Sequence, residues 1–560
     1  MATAMVRETA SASANSSYLD PISNMCERFF HQSTVKNDVL YVWGGAETFV
    51  ANNSDGRADG AITIGTNNFM IAMNMNSSWD WKINISESVL TPAPSPPPGN
   101  TSPPVIIRGA LFSGGLGDDN VYIYGGTTSA LNSSFVDYTL PISPEYSLWS
   151  YNTATNQWGQ YDISHNTSQR PSSGAYAEVP DQNLAFYLNG EITNGTSTLT
   201  LGIGSELMTL EGLVIIDTAA HTSRNVSTGS LVGSNPRTGG VLQYVTGIGS
   251  KGVLVSIGGS YRQSYTSSTD EIGSLLSMDT IDILDINSTY NEGQPAWYSQ
   301  KATGDIPPAR VQFCSVAVAA FDNSSYHIYI YGGKSSPTSL FDDIYTLSLP
   351  SFIWTNVYNA TIPIPRYGHT CHLVGRRQML TVGGSGSTEF KSCDWETKGV
   401  AVYDLTTLTW GSEYDFDALD YGVPAPITSI IGGNYNGSAN ITQPIGGFTT
   451  PELAALFKEN RLEETPPKTP SSTPPPNSTT DQPNLGETKA TNRVGIIAGA
   501  ATGSVITLIF IGWAIWRFCR RTRAPQSNPL RNHSVRSYRQ RFARSPSLKN
   551  VDYDFTNPCG

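Results

Sequence analysis

Apolar positions along most of the chain come in short runs broken by Gly, Asn, Asp and Pro, which is the patterning of strands rather than helices. One run recurs and closes each time on Gly-Gly: DVLYVWGG (38–45), NVYIYGG (120–126), GVLVSIGG (252–259), HIYIYGG (327–333) and QMLTVGG (378–384). A degenerate copy, LAFYLNG, ends at Gly190. A second apolar strand follows each copy, and in five of six cases a Trp, as in the segments ending at Trp158, Trp354 and Trp410. Another strand precedes it, often opened by Arg or His, as in HQSTV from His31 and RYGHTCHLV from Arg366. The pattern predicts four-stranded antiparallel sheets with the Gly-Gly strand innermost. The double Gly permits positive φ and close approach of the neighbouring sheet, and the Trp packs between sheets. A sheet with two apolar faces cannot stand alone, so several must stack and close into a ring.

These repeats resemble kelch repeats, specifically the kelch/galactose-oxidase-like propellers of fungal surface proteins, over residues 20–413. The resemblance implies an all-β, kelch-type β-propeller of about six four-stranded blades. Spacings of about 50–80 residues exceed ordinary kelch length, so the excess belongs in loops, and loops at one rim are where such proteins bind ligands. YGVPAPITSIIGG (421–433) ends in the same Gly-Gly and is a candidate closing strand. The propeller domain is therefore set at 20–449, with closure by about 433, after a disordered 1–19. Thr450-Pro451-Glu452 before LAALF reads as the capped start of a short helix over 450–462, packed on the propeller base.

The remainder changes the picture from a lone propeller to an anchored one. Residues 463–493 are Pro/Ser/Thr-rich and form a stalk. Val494 to Trp516 contains no charged residue over 23 positions, about 34 Å of helix, enough to span a bilayer. Arg517, Arg520, Arg521 and Arg523 follow at once and place that end in the cytoplasm, against anionic lipid. Gly495, Gly499 and Gly503 share one helix face and allow a homodimer through the membrane segment. Cys519 at the bilayer edge is a weak palmitoylation candidate. The tail 517–560 is basic and reads as disordered. From Arg517 onward there are 10 Lys/Arg against 2 Asp/Glu, which leaves 24 against 44 before it. An acidic front with a basic tail argues for two compartments and against nucleic-acid binding by the large domain.

Fifteen N-x-S/T sequons precede the membrane segment and one follows it, favouring a secretory route. The strongest candidates are Asn76, Asn84, Asn132, Asn166, Asn194, Asn225, Asn287, Asn323, Asn359, Asn436 and Asn440. The first 24 residues contain no apolar run of signal-peptide length, which conflicts with that route. The expectation is that the true start differs; a tail-anchored propeller facing the cytoplasm is the alternative.

Six cysteines are present, and four precede the membrane segment. Cys371 and Cys393 flank the last hairpin and are the first expected disulfide; Cys26 with Cys314 follows by elimination. No CxxC or zinc spacing occurs. Resemblance to galactose oxidase raises a copper-radical carbohydrate oxidase as a second function, which needs two Tyr, two His and a Tyr-bonded Cys. His31, His165, His221, His327, His369 and His372 supply no convincing counterpart. His369 and His372 lie three apart on a strand and point to opposite faces. His31 and His369 are expected to hydrogen-bond backbone at the repeat's standard position. Gly247–Gly252 matches GxGxxG but lies between strands, with no helix to meet a phosphate. No catalytic residue, metal or cofactor is assigned. The reading is a non-enzymatic cell-surface binding or scaffold protein with an unidentified protein or glycan ligand.

Overall fold

Six large sheets, five of four strands and the fifth of five, each from one continuous stretch of chain, lie within residues 32–411. The computed structural model describes residues 21–459 except 51–61, 93–102, 130–132, 135–141, 143–146, 164–169, 205, 230, 232–235, 263–265, 268–271, 291–294 and 391. The membrane segment, stalk and tail inferred from sequence lie outside the described residues. Among those described, no helix is long and apolar enough to cross a membrane.

The sheets begin on the strands Gln32–Lys36, Ile107–Phe112, Ala175–Val179, Val241–Val245, Cys314–Ala319 and Thr370–Val374. In every sheet four antiparallel strands pair in chain order, and in the fifth Thr303–Gly304 adds a short parallel strand beside Ile353–Tyr358. Six apolar clusters lie between successive sheets. One joins the first and second through Trp43, Ile123 and Trp149, and another the second and third through Phe112, Tyr187 and Ile216. The series continues to the seam between the sixth and first, where Leu40, Val42, Ile71 and Met73 meet Leu380, Val382, Val400 and Val402. Each sheet thus buries both faces, as a stack of apolar-faced sheets requires.

The Gly-Gly strand is second in each sheet, not innermost as the sequence pattern predicted. The first strands pack on one another around the centre, and they are the less apolar ones. Cys314–Ala319 alternates buried and half-buried positions, whereas Tyr326–Tyr331 behind it is buried throughout. A strand covered on both faces reads as a continuous apolar run, and that run drew the innermost assignment.

What the glycines do is visible in two hydrogen-bond cycles. The N–H of the second glycine donates to a carbonyl at the start of the next sheet. Gly45 donates to Ile106, Gly126 to Pro171, Gly190 to Arg237, Gly259 to Arg310, Gly333 to Arg366 and Gly384 to Arg28, at 2.7–3.2 Å. Two residues further along each first strand a second cycle runs. Phe30 donates to Gly368, Arg108 to Phe30, Ser173 to Arg108, Gly239 to Ser173, Gln312 to Gly239 and Gly368 to Gln312, at 2.7–2.9 Å. All six residues of this second cycle have φ between 54° and 68°, although only two are glycine.

Long connections gather at the end bearing these cycles. They include the added small sheets Met25–Phe29 with Ala46–Val50 and Ile62–Thr66, and Glu191–Ile192 with Glu206–Thr209. The opposite end has tight first-to-second turns and receives the C-terminal segment. There 421–433 supplies no strand. Ala425–Ile431 is a helix, α1, with Pro424 and Pro426 at its start and Ile427 and Ile431 buried against the fifth and sixth sheets. Pro suits a first helical turn, and apolar residues four apart share a face. Helix α2, Pro451–Leu456, is capped by the Thr450 hydroxyl, which accepts from the Leu453 N–H. Leu453 and Leu456 pack with the fourth and fifth sheets.

Candidate binding site at the channel mouth

The first strands enclose a central cavity of about 410 Å3 lined from all six sheets. The six left-handed residues of the inner cycle ring one end of it. Non-glycine residues in this region are strained and need over-determination by their surroundings. Here the cycle of hydrogen bonds supplies it.

Charged and polar groups cluster at this mouth. Arg262 forms a buried ion pair with Glu191, which also accepts a hydrogen bond from Ser173 Oγ at 3.0 Å. The Arg108 guanidinium lies 4.2 Å from the Phe30 ring centroid, within cation–π range. Deeper in, the seam between the sixth and first sheets holds a polar chain. His31 Nε2 meets Thr370 Oγ1 at 3.0 Å, Ser33 Oγ meets His372 Nε2 at 2.7 Å, and Ser33 and Thr370 are in direct contact. Burial lowers His369 to about 3 and His372 to about 4, and lowers His31 well below the usual imidazole range with help from Arg28. These rings are neutral at ordinary pH. At the far end Glu178 accepts from the Ser113 N–H at 2.5 Å and from Thr34 Oγ1 at 3.2 Å. Burial still raises its carboxyl. The cavity wall thus carries neutral imidazoles, hydroxyls and the Glu178 carboxyl, with Arg108 and the Arg262–Glu191 pair at the mouth.

A frame of buried Arg supports the mouth. Arg310 bonds Asp343 and the Gly332 carbonyl, and Arg366 bonds Asp394 and the Gly383 carbonyl. Arg28 pairs with Glu47, and Arg237 with Asp282. The recurring Arg ahead of the first strand was visible in sequence; its acidic partners, in loops of differing length, were not. Arg108, Glu191, Arg262 and Glu178 carried no sequence signal at all.

The four cysteines pair differently from the expectation. Cys26 is bonded to Cys393, and Cys314 to Cys371. Cys371 sits on a first strand, next to the first strand of the fifth sheet, and so meets Cys314 across the seam rather than Cys393 within its own sheet. Cys393 lies in the second-to-third connection at the mouth, beside the N-terminal strand that carries Cys26. Both bridges cross seams, one on each side of the sixth sheet. Cys314, Cys371 and His369 offer atoms within 4.8 Å of one another. The two sulfurs are bonded together, which leaves one imidazole, far short of the ligands copper-radical chemistry needs. His369 and His372 do diverge: His369 stacks edge-on to Tyr331 of the fifth sheet, and His372 reaches Ser33 of the first. His31 bonds the Thr370 side chain, not backbone, because Thr370 faces it across the seam.

Of the sequon asparagines, Asn76, Asn84, Asn194, Asn287, Asn323, Asn359, Asn436 and Asn440 are exposed and Asn225 is half-buried. Asn132 and Asn166 lie outside the described residues, as do Gly495, Gly499, Gly503, Arg517, Cys519, Arg520, Arg521 and Arg523.

Sheets, seams and glycine turns define an all-β, kelch-like, propeller-like fold. Comparison with known proteins agrees. Residues 248–415 match the family model of the KLHDC2/KLHL20/DRC7 Kelch-repeats domain, so this chain carries kelch repeats. A "Kelch repeat-containing protein" of Arthroderma benhamiae is 26% identical over 589 residues, covering 94% of this chain and 80% of that one. Host cell factor of Drosophila melanogaster is 28% identical over 23% of this chain but only 9% of its own length. The solved structure of YjhT covers 68% of this chain and 95% of its own at 12% identity, with a TM-score of 0.42, too distant a likeness to carry an argument.

Proposed function

We propose that this chain is a non-catalytic kelch propeller of six closed blades, displayed at the cell surface, which binds a protein or glycan ligand at the channel mouth. The observation that carries the reading is the asymmetry of the two ends. Long connections, the ring of strained residues and the fixed charges share one end, while α1, α2 and the tight turns occupy the other. The described chain leaves at Glu459, whose carbonyl accepts from Gly249 N–H at the far end. A Pro/Ser/Thr-rich stalk and the 494–516 membrane segment follow in the sequence, with the basic tail read as meeting cytoplasmic anionic lipid. Two seam-crossing disulfides suit an oxidising compartment, and eight exposed sequon asparagines suit glycosylation.

Glycosidase treatment of the full-length protein expressed in a fungal host tests the placement. A drop of many kilodaltons in apparent mass is expected. No shift, with free thiols at Cys26 and Cys314, would put the propeller in the cytoplasm and replace this reading with an intracellular tethered scaffold.

A further inference from the structure

A second cavity, of about 200 Å3, lies away from the channel, where the fifth and sixth sheets meet the third-to-fourth connection of the first. Its walls are aromatic: Trp81, Tyr358, Trp395 and Trp410. Trp81 and Trp395 stand edge to face at 5.9 Å, and Tyr358 and Trp410 likewise at 6.4 Å. Trp395 is 52% exposed, an unusual state for the largest apolar side chain. Two carboxylates enter among these rings, Asp342 and Glu396. Asp342 Oδ2 accepts from the Ile364 N–H at 3.0 Å, and Glu396 stands 3.1 Å from Arg366.

We propose that this cleft is a docking site for a cationic side chain, an arginine presented by a partner protein. The inference rests on the reading of the chain as a binding module and gives it a second contact, separate from the mouth. Aromatic faces carry negative quadrupole potential, and a cation enclosed by several of them gains more than it does at one exposed ring. A planar guanidinium also stacks on indole and forks onto a carboxylate, which an ammonium does less well. Asp342 supplies the carboxylate. Burial pushes the Tyr358 hydroxyl upward at the cleft wall, and the charge of Asp342 adds to it. The cleft already borders one cation: Lys82 Nζ lies 5.4 Å from the Trp81 centroid. Lys82 is exposed and free of the seams, so it can swing out before an incoming arginine. Residues before Arg517 number 24 Lys/Arg and 44 Asp/Glu, and an acidic domain steers cationic partners toward it.

The test uses the full-length protein in detergent and two probes, N-acetylarginine amide and its neutral isostere N-acetylcitrulline amide, titrated by saturation-transfer NMR. Saturable binding of the arginine probe is expected, at least about tenfold tighter than the citrulline probe, because only the first brings a charge to the rings. Asp342→Asn and Trp395→Ala should each weaken it several-fold with unchanged melting, since both side chains stand at the rim. Lys82→Ala should tighten it about three- to fivefold by removing the resident cation, a gain that a merely structural Lys82 would not produce. Equal binding of the two probes, no saturable arginine signal, or displacement by a neutral methyl glycoside in place of arginine would each overturn the proposal. Loss of this site would leave the channel-mouth reading intact, because ligand capture at the mouth does not pass through Trp395 or Asp342.

Discussion

Replacing Gly383 with Ala probes the seam between the sixth and first sheets directly. Gly383 has φ +59°, and a Cβ there would stand 2.4 Å from the Arg28 carbonyl oxygen and 2.6 Å from His31 Cε1. The left-handed conformation alone costs Ala about 1–2 kcal/mol. The clash is with backbone, so the sixth and first sheets must separate to relieve it. That strains the Gly384 N–H bond to Arg28 O, at 2.7 Å, and the Arg366 Nη1 bond to Gly383 O, at 2.8 Å. A buried polar group left unpaired costs about 1–3 kcal/mol, so the total is about 2–5 kcal/mol against a native stability of order 5–15 kcal/mol. Gly117→Ala is the control: its Cβ would meet nothing within 4 Å, and the change should be neutral to slightly stabilising. Urea unfolding followed by tryptophan fluorescence, with disulfides intact, measures both. Gly125→Ala, whose Cβ would lie 2.4 Å from the Pro171 carbonyl, should repeat the loss at another seam. Should Gly383→Ala fall within about 0.5 kcal/mol of Gly117→Ala, close backbone approach is not what requires the double glycine, and the account of the seams fails.

Arg310 is fully buried, with Asp343 and the Gly332 carbonyl as partners. Arg310→Met should cost about 3–5 kcal/mol in denaturant midpoints by stranding Asp343, and adding Asp343→Leu should recover much of it. The Cys26–Cys393 bridge spans 367 residues and Cys314–Cys371 spans 57; on loop entropy, Cys26→Ser should therefore destabilise more than Cys314→Ser by about 1–2 kcal/mol. Burial lowers His327 and His369 to about 3, so the unfolded chain takes up their protons first. The stability they contribute is present above pH 6.5 and is lost as pH falls toward 3, at about 2 kcal/mol each between pH 6.5 and 5. Glu27 and Glu396, both raised to about 7 by burial, and Glu178, also raised by burial, act oppositely, their share being lost as pH rises from 4.5 through 7. The clean readout is therefore the difference between variants: His327→Gln removes one lowered imidazole, so its melting temperature should rise relative to that of the unsubstituted protein as pH falls from 6.5 to 5.

Much of the fold was legible because repetition multiplies weak signals. Gly-Gly after an apolar run means little once, but five such turns and the Asn189-Gly190 copy at one end of six sheets have one physical cause, a left-handed backbone held in close contact with the next sheet. The recurring Arg was equally legible as a pattern. Strand order within the sheet was not, since hydrophobicity reports how many faces are covered and the second strand is covered most. Non-glycine residues in left-handed geometry, Phe30, Arg108, Ser173 and Gln312, left no trace either, because nothing in their chemistry favours that conformation; the hydrogen-bond cycle imposes it. Disulfide partners failed for a related reason. Separation along one hairpin suggested Cys371 with Cys393, while the bridges join different sheets whose adjacency is a tertiary fact. Proline and paired isoleucines in 421–433 favoured α1, and Gly432-Gly433 obscured them.

The functional residues were the least legible, and the architecture explains why. The seams are held by backbone cycles, buried Arg and six apolar clusters, and from the second-to-third connections the Arg frame takes only single carboxylates, Glu47, Asp343 and Asp394. Apart from those carboxylates, the connections can vary in length and composition at little cost to the seams. Glu191 comes from such a connection in the third sheet and Arg262 from the one in the fourth, and they meet only over the mouth. A repeat pattern records what every sheet must share, whereas a binding site on this scaffold is assembled from what each sheet has alone. Ligand-selecting substitutions should accordingly concentrate at singular positions such as Arg108, Glu191 and Arg262. Arg262→Ala offers the sharpest case: it should leave the glycine seams undisturbed while removing the partner of buried Glu191, so that ligand capture changes far more than the hydrogen-exchange protection of the first strands.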